Sequence, residues 1–215
     1  MSESLEMEGK PRNFNEAAAS WDEEPRRVRL ASDVAEAMCR EVALCSDMDV
    51  LDYGCGTGLV SLFLQPQVGS ITAADTSEGM LAILREKVAA RGVTNVNTVF
   101  LDPERDSLPS AGFDLLVCSM TLHHVKDSGK LLRDFYRFLR PGGRLAIADL
   151  DTEDGSFHGQ GLAAAHTGFD RGRMRAMLEE AGFHETRAVT AATVEKPDAR
   201  GVERTYTVFL VTARK

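Results

Sequence analysis

Residues 50–58 read VLDYGCGTG and decide how this chain folds. The apolar start predicts a short strand that ends at an acid, Asp52, and the rest places glycine at every second position. Gly54, Gly56 and Gly58 have no side chain and tolerate positive φ, so the loop can turn sharply and present backbone N–H groups to a ligand. The LVSLFL segment that follows predicts a short helix whose partly positive N-terminus faces the same ligand. The stretch therefore predicts a strand, a ligand-binding loop and a helix.

The charge of Asp52 narrows the choice of ligand. A dinucleotide-binding loop has the pattern GxGxxG, and Leu59 stands where its last glycine would be. Asp52 would also lie beside two phosphates, and like charges roughly 4 Å apart repel by about 4 kcal/mol under surface-like screening. A ligand that carries an ammonium and a sulfonium group would be attracted to the same carboxylate. The loop therefore favours a cationic ligand over a pyrophosphate.

A second ligand signal is ITAADTSEGML, residues 71–81. It predicts a strand that ends at Asp75 and a helix with Ser77 as its N-cap. Asp75 follows Gly58 by 17 residues, where the second strand of a βαβ unit should end. A carboxylate at that point can accept two hydrogen bonds from ribose hydroxyls, as in nicotinamide and S-adenosyl sites alike. The segment supports a nucleoside ligand without naming it.

Predicted strands and helices alternate along the chain. The strands lie near residues 48–53, 70–75, 96–101, 113–118 and 144–149. The helices lie near residues 14–20, 25–42, 77–91, 127–139 and 170–182. Strands separated by helices predict a parallel sheet with right-handed crossovers. Residues 184–194 and 203–213 flank a turn-rich KPDARG segment and predict a terminal hairpin.

Together these features resemble the class I S-adenosylmethionine-dependent methyltransferases, in particular small-molecule members of types 11 and 25. The most specific parts are the glycine-rich loop and the Pro-Gly-Gly turn at residues 141–143. The resemblance covers about residues 45–215 and implies an α/β fold: a Rossmann-like, seven-stranded, mostly parallel sheet with a C-terminal antiparallel hairpin and helices on both faces. It divides the chain into an N-terminal tail with lid helices, residues 1–45, and an S-adenosylmethionine-binding methyltransferase domain, residues 46–215.

The resemblance implies S-adenosyl-L-methionine as the cofactor and a contact for each matching residue. Asp52 would hold the loop and, directly or through water, the ammonium group, while Asp75 would bind the ribose hydroxyls. Asp102 would accept from the adenine amino group, although Pro103 beside it has no N–H to offer the ring. The implied contacts are Asp52, Gly54, Cys55, Gly56 and Gly58 near the methionine and ribose, Asp75 at the ribose, Thr76, Met80 and Asp102 at the adenine, and Ser119 and Met120 below the methyl group.

Four of the five histidines follow the carboxyl ends of the fourth and fifth strands, the edge where open α/β sheets bind ligands. They are His123, His124, His158 and His166. The TLHHV segment resembles one that is common in small-molecule members of the family, which implies that His123 lies near the cofactor. His158 is the better candidate for a base because it stands in a polar loop. The alternative for each histidine is a cap or a packing role.

The acidic segment ADLDTEDGSFHG, residues 148–159, has three interpretations. It could hold a divalent metal, as catechol-type members of this fold do, or be a substrate loop in which Asp151 or His158 accepts a proton, or be a solvated loop. No bidentate spacing singles out a metal site, so we assign no metal ligand. The catalytic candidates are His123, His158 and Asp151. The following GFDRGRM segment would close the acceptor pocket with Phe169 and offer Arg171 or Arg173 to an anionic substrate.

The segment NFNEAAASWDEEP, residues 13–25, resembles the N-terminal lid of many small-molecule methyltransferases. Phe14 and Trp21 give it one apolar face, which would exclude water and hold the acceptor. Trp21 could equally anchor the segment to the core. The basic cluster Arg26, Arg27 and Arg29 stands next to acidic residues and indicates a solvated helix start.

Composition excludes several other classes. A net charge of −8 argues against a nucleic-acid substrate, which needs a basic face. The four cysteines form no CxxC pair, which is typical of reduced thiols and predicts a cytoplasmic location. No apolar run approaches the 18 residues needed to span a bilayer, so we expect no membrane partner. We expect a monomer or a homodimer.

The sequence predicts an enzyme that transfers a methyl group from S-adenosylmethionine to a small-molecule acceptor. Two alternatives stay open. A nicotinamide-dependent oxidoreductase would use the same Asp75 but predicts GxGxxG and no terminal hairpin. A non-catalytic regulatory protein would keep the nucleoside site and lack an acceptor pocket.

Overall fold

The computed structural model describes residues 12–101, 112–158, 164–198 and 201–215. Its strands are β1 (Asp49–Tyr53), β2 (Ser70–Asp75), β3 (Val96–Phe100), β4 (Phe113–Ser119), β5 (Leu139–Leu150), β6 (His184–Pro197) and β7 (Glu203–Arg214). They form one seven-stranded sheet in the order β3-β2-β1-β4-β5-β7-β6. β7 is antiparallel to both neighbours, and the other strand pairs are parallel. The predicted fold class is confirmed, including the C-terminal hairpin.

The helices are α1 (Phe14–Ala17), α2 (Pro25–Glu41), α3 (Leu59–Leu64), α4 (Glu78–Ala90), α5 (Ser128–Phe138) and α6 (Arg171–Glu180). Short 3-10 helices cover Ala18–Glu23, Gln65–Gln67 and Leu122–His124. Ser77, Asp127 and Asp170 cap α4, α5 and α6, because each side chain accepts the backbone N–H three residues further on. Among the described residues, no helix has the length and apolar character that crossing a membrane requires.

Both faces of the sheet are covered by helices. Successive side chains of a strand point to opposite faces, and in β4 Leu115 and Val117 join the core formed with α2, α3 and α4. Leu116 and Cys118 join a second core with α5 and α6. Each fully buried leucine contributes about 1.5–3 kcal/mol. The central strand is therefore apolar on both faces, as a parallel sheet covered on both sides requires.

The largest difference from the predicted elements is the start of β5. The sequence predicts a turn at residues 140–143 and a strand from 144, whereas β5 begins at Leu139 and its pairing with β4 shifts register between Phe113 and Leu115. The chain terminus explains this: Gly142 N–H donates to the Lys215 carbonyl, and Lys215 N–H donates to that of Gly143. The turn is paired with a distant segment, which local sequence does not reveal.

The strand order places the ligand-binding edge. Chain order reverses between β1 and β4, and the crevice at the carboxyl ends of strands beside such a switch is where open α/β sheets bind ligands. The loops after β1, β2 and β4 meet there. The glycine-rich loop, Asp75 and the TLHHV segment therefore come together at one edge of the sheet.

Candidate functional site

The glycine-rich loop has the backbone that the sequence predicts. Gly54, Gly56 and Gly58 have φ of 74°, 53° and 79°, in the left-handed region that glycine adopts without steric cost. The N–H groups of Gly54 and Cys55 donate to the carbonyl oxygen of Ala74 on β2, at 2.7 and 3.1 Å. The loop therefore bends over the end of the neighbouring strand.

The three glycines differ in what surrounds them. A Cβ on Gly54 would lie 2.3 Å from Thr121 Oγ1, and one on Gly58 would lie 2.2 Å from Leu84 Cδ1. A Cβ on Gly56 would have no atom within 4 Å. Gly54 and Gly58 therefore permit close packing inside the protein, whereas Gly56 faces open space.

The carboxylate of Asp75 ties this loop to β2. Its Oδ2 accepts from Gly56 N–H at 2.7 Å, and its Oδ1 accepts from Ser77 N–H at 2.8 Å. Burial raises the pKa of Asp75, and these backbone donors oppose the rise. Each carboxylate oxygen has a second lone pair, so the group can still accept from a ligand.

Asp52 is a buried acid with one free oxygen. Its side chain is 1% exposed, and Oδ2 accepts from Ser61 Oγ at 2.5 Å. Oδ1 is buried and has no hydrogen-bond partner among the described residues. Burial raises the pKa of Asp52 to about 7, against the opposing effect of the Ser61 hydroxyl. The shift means that ionising this group in the free protein costs about 4 kcal/mol more than in water.

These groups face a cavity of about 500 Å³, a size typical of small-molecule sites. The predicted cofactor contacts that line it are Asp52, Gly54, Cys55, Gly56, Asp75, Thr76, Met80, Ser119 and Met120. Gly58 does not line the cavity, because it packs against Leu84. Asp102 lies outside the described residues. Met120 has φ of 54°, a strained backbone for a residue with a side chain, and such strain is common at functional sites.

His123 lies at the wall of the cavity and is 1% exposed. Its Nδ1 is 2.6 Å from Oδ1 of Asp149, which is fully buried and also accepts from Leu150 N–H at 2.7 Å. Because an ionised carboxylate can only accept, we assign the ring proton to Nδ1. Nε2 is buried without a partner among the described residues. The ring is therefore fixed in position with an unused acceptor nitrogen.

Two more histidines stand beside His123. The ring centroid of His124 is 4.1 Å from that of His123, and that of His158 is 4.9 Å away. Burial, followed by the neighbouring histidines, lowers the pKa of His124 to about 3. Burial and His123 lower the pKa of His158 to about 4. Both rings are neutral at pH 7. His158 is thus a weaker base than its polar loop suggests. Of these three histidines, His123 is the one whose ring is bonded to a carboxylate, that of Asp149.

Asp151 does not line the cavity, so the structure does not support its prediction as a contact of the acceptor. Its carboxylate accepts from Arg171 Nε and Nη2, both at 2.7 Å, and from Thr207 Oγ1 at 2.6 Å. It is absent from the residues that line the cavity, and so are Phe169, Arg171 and Arg173. Phe169 is instead part of the core beside α5 and α6. Asp151 therefore anchors the loop after β5.

The other acids of residues 148–159 also have protein partners. Asp149 holds His123, and the Asp154 carboxylate accepts from the Ser156 hydroxyl and lies 3.4 Å from Arg204. Phe157 N–H donates to Glu153 at 3.0 Å. Within the part of the chain that the structure describes, no three His, Cys, Asp or Glu side chains group as metal ligands.

The segment before β1 packs over the cavity. Asn15 Oδ1 accepts from Ser77 Oγ and Gly79 N–H at 2.8 and 2.9 Å, at the start of α4. Thr57 Oγ1 in the glycine-rich loop donates to Asp22 at 2.6 Å. Both contacts tie the segment to the predicted cofactor loops rather than to the core beneath α2. Phe14 and Trp21 line the cavity, and the Phe14 ring lies 5.3 Å from that of His124.

Several residues that line the cavity were missed by sequence reasoning. Arg26 and Arg27 were assigned to a solvated helix start, but both line the cavity, together with Arg12 and Lys196. Lys196 could have been found from the alternation of β6, in which Val194, two residues earlier, is buried against the same cavity. Local sequence carries no comparable signal for Arg12.

The cavity fits S-adenosylmethionine. The free Oδ1 of Asp52 is a buried acceptor for an ammonium group, and the Asp75 carboxylate can accept from hydroxyl groups. Space beside Gly56 allows a ligand to approach the backbone. These residues suit the donor groups and the positive charge of that cofactor.

Residues 50–143 match a family model described as "Methyltransferase domain". An uncharacterized methyltransferase of Schizosaccharomyces pombe is 36% identical over 121 residues, 53% of this chain and 43% of that protein. The demethylmenaquinone methyltransferase of Listeria monocytogenes is 36% identical over 104 residues, 47% of this chain and 44% of that protein. The match thus spans less than half the length of these relatives.

Among solved structures, a SAM-dependent methyltransferase from Aquifex aeolicus has a similar fold. The TM-score is 0.69 at 24% identity, and the match covers 93% of this chain and 97% of that one. Because it covers 93% of the chain, this likeness extends beyond residues 50–143. The overall fold therefore agrees with the one that the resemblance implied.

Gly56→Val and Gly92→Val form a matched pair that tests whether the loop approaches the ligand. Both glycines have positive φ, 53° and 63°, and neither would bring a Cβ within 4 Å of another atom. We expect similar losses of stability from backbone strain, about 1–3 kcal/mol by thermal unfolding. Only Gly56→Val should abolish binding of S-adenosylhomocysteine in calorimetry. Equal affinity in the two variants would contradict the assignment of Gly56.

The raised pKa of Asp52 predicts an opposite pH dependence for stability and for ligand binding. Relative to Asp52→Asn, stability of the free protein should fall between pH 4 and 8 by up to about 4 kcal/mol, because a raised pKa favours the protonated, low-pH form. Affinity for S-adenosylhomocysteine should rise through about pH 7, as the carboxylate ionises beside the ammonium. Calorimetry on both proteins measures this. If the affinity for S-adenosylhomocysteine depended on pH in the same way in Asp52→Asn, a contact between Asp52 and the ammonium group would be excluded.

Proposed function

We propose that this protein transfers a methyl group from S-adenosylmethionine to a small molecule. The premise is that residues 50–143 form a methyltransferase domain in a chain with the class I methyltransferase fold. The observation that carries the proposal is that one cavity is lined by the glycine-rich loop, by Asp75 and by His123, whose ring is held by the buried Asp149. It joins a cofactor side to a chemically competent acceptor side.

The cofactor side is formed by the loops after β1, β2 and β4. Asp75 would bind the ribose hydroxyls and Asp52 would bind the ammonium group. Gly56, which has no side chain, would let the ligand approach the backbone. Thr76 and Met80 line the cavity where the resemblance places the adenine. When bound, S-adenosylmethionine supplies an electrophilic methyl group on a sulfonium. The contribution of the protein is alignment, worth on the order of 7–11 kcal/mol for two well-oriented reactants.

His123 is the base on the acceptor side. Its Nε2 has no hydrogen-bond partner among the described residues, so it can take the proton that an acceptor O–H or N–H must lose. Asp149 at Nδ1 fixes the ring and stabilises the imidazolium that forms. His158, neutral at pH 7, would orient the acceptor through a hydrogen bond. In balance, the acceptor gains the methyl group, its proton passes to His123, and S-adenosylhomocysteine leaves.

The N-terminal segment, residues 12–24, acts as the lid in this proposal. It contacts Ser77 and Thr57, beside the cofactor loops, and presents Phe14 and Trp21 to the cavity.

We also propose that the chain divides between residues 45 and 46 and that the protein is a cytoplasmic monomer or homodimer. We propose no nucleic-acid partner and no membrane partner. The nicotinamide and regulatory alternatives are not favoured, because the methyltransferase domain match extends over the glycine-rich loop.

The decisive experiment incubates the protein with S-adenosylmethionine and fractionated small-molecule extract, and follows release of S-adenosylhomocysteine. Mass spectrometry of the active fraction should show a product heavier by one methylene group, and a labelled methyl should appear in it. Asp75→Ala serves as the inactive control. If release of S-adenosylhomocysteine required a protein or RNA fraction instead, the proposal of a small-molecule acceptor would be wrong.

Asp75→Ala should weaken S-adenosylmethionine binding by about 2–4 kcal/mol, since two charge-assisted hydrogen bonds to the ribose are lost. Asp49→Ala is the matched control: Asp49 is bonded to Ser70 and Arg140 at the opposite end of β1. Its loss should reduce stability but leave affinity unchanged. Calorimetry compares the two, and wild-type affinity in Asp75→Ala would remove the residue from the site.

His123→Gln should lower turnover by roughly tenfold to ten-thousandfold, while S-adenosylhomocysteine affinity changes by less than about threefold. Glutamine is chosen because alanine would remove the side-chain donor of the buried Asp149 and leave it only backbone N–H groups. His158→Gln should have the smaller effect. The exposed His184 provides a control, and His184→Gln should retain full turnover. Normal turnover in both cavity variants would mean that the acceptor is held elsewhere.

A further inference from the structure

The part of the cavity around Trp21, Phe157 and His158 carries positive charge. Arg12 and Lys196 line it, and they come from elements far apart in sequence, the N-terminal segment and β6. The Lys196 ammonium lies 4.5 Å from the centroid of the Phe157 ring, and that ring lies 5.1 Å from the ring of His158. The Arg12 guanidinium lies 5.6 Å from the ring of Trp21. Both cations thus stand among the aromatic and histidine side chains of the acceptor side.

Neither cation forms an ion pair within the part of the chain that the structure describes, although Glu153 and Glu24 act on Lys196 from further away. Among the described residues, no carboxylate lies within 4.0 Å of Arg12 or Lys196. Lys196 donates to the backbone carbonyl of Phe157, which satisfies one hydrogen but not the charge. Glu24 also lines the cavity, but its carboxylate is bonded to Arg26 at 3.1 Å.

The remaining acids of the cavity, Asp52 and Asp75, belong to the cofactor side. They are bonded to Ser61, Gly56 and Ser77 around the glycine-rich loop. The chain as a whole carries a net charge of −8. Two cations without an ion-pair partner among the described residues are therefore a local feature of this cavity, not a reflection of the acidic composition.

Each of the two cations is also affected by other cations nearby. Burial lowers the pKa of Lys196, and Arg26 and Arg12 lower it further, while Glu153 and Glu24 oppose the effect. Burial and Arg27 lower the pKa of Arg12. Cations held close together and partly desolvated repel, and an anion between them would relieve that repulsion.

We propose that the methyl acceptor is an anion, and that Arg12 and Lys196 bind its carboxylate or phosphate group beside His158. The walls formed by Phe14, Trp21 and Phe157 suit a flat, apolar skeleton between that anion and the methylated atom at His123. This proposal rests on the proposed function, because it takes the ligand that binds beside the cofactor to be the methyl acceptor. Arg27, which lies 4.1 Å over the Trp21 ring and donates to the Trp21 carbonyl, supports the lid rather than the anion.

Trp21 makes the test direct, because it is the single tryptophan of the chain and lines this cavity. Protein saturated with S-adenosylhomocysteine is titrated with benzoate, phenyl phosphate, neutral benzamide and cationic benzylamine, and binding is read from tryptophan fluorescence. The bound product already occupies the cofactor side, so its own carboxylate does not compete. We expect benzoate or phenyl phosphate to bind about tenfold to hundredfold more tightly than benzamide. The stronger of the two identifies carboxylate or phosphate.

Lys196→Gln should reduce this preference to about threefold or less, with S-adenosylhomocysteine affinity unchanged within about threefold. Arg29→Gln is the matched control, since Arg29 is an exposed cation of α2 that does not line the cavity. It should keep the full preference. Equal binding of benzoate, phenyl phosphate and benzamide, no saturable anion binding, or a preference retained in Lys196→Gln would overturn the proposal. Binding is read from fluorescence and does not require turnover. A failure of methyl transfer would therefore be distinguished from a failure of anion binding.

Discussion

The left-handed turn after β1 is the constraint on which the rest of the site depends. Three glycines with positive φ carry the chain over the end of β2, and the Asp75 carboxylate fixes the turn through Gly56 N–H. One acid thus shapes the loop and remains able to accept from a ligand. A side chain at Gly54 or Gly58 would collide with Thr121 or Leu84, so this turn also sets how β4 and α4 approach the loop.

The cavity beside this turn is electrically divided. Asp52 and Asp75 make the cofactor side acidic, while Arg12 and Lys196 make the acceptor side basic. A ligand with a sulfonium and an ammonium group suits the first side, and an anion suits the second. Attraction between the two bound molecules would then help to bring the methyl group and the acceptor together. His123, held by the buried Asp149, lines the same cavity and can receive a proton there.

The fold and the cofactor side could be predicted from the sequence because their signals are local. Glycine spacing, an acid at a strand end and alternating elements lie within short stretches, and both the fold class and the resemblance to class I methyltransferases are confirmed. The acceptor side depends on pairings between distant segments. Arg171 reaches Asp151 across 20 residues, and Asp149 rather than Asp151 holds the cavity residue His123. The meeting of Arg12 with Lys196 depends on the lid and β6, which local patterns do not connect.

The most direct test of the central claim is calorimetric titration of the protein with S-adenosylhomocysteine and, separately, with NADH. We expect one binding site per chain for S-adenosylhomocysteine and no detectable heat with NADH, because Asp52 attracts an ammonium and repels a pyrophosphate. The same experiment on Asp52→Asn should weaken the first ligand without creating a site for the second. Binding of NADH in place of S-adenosylhomocysteine would contradict the assignment of this cavity to methyl transfer.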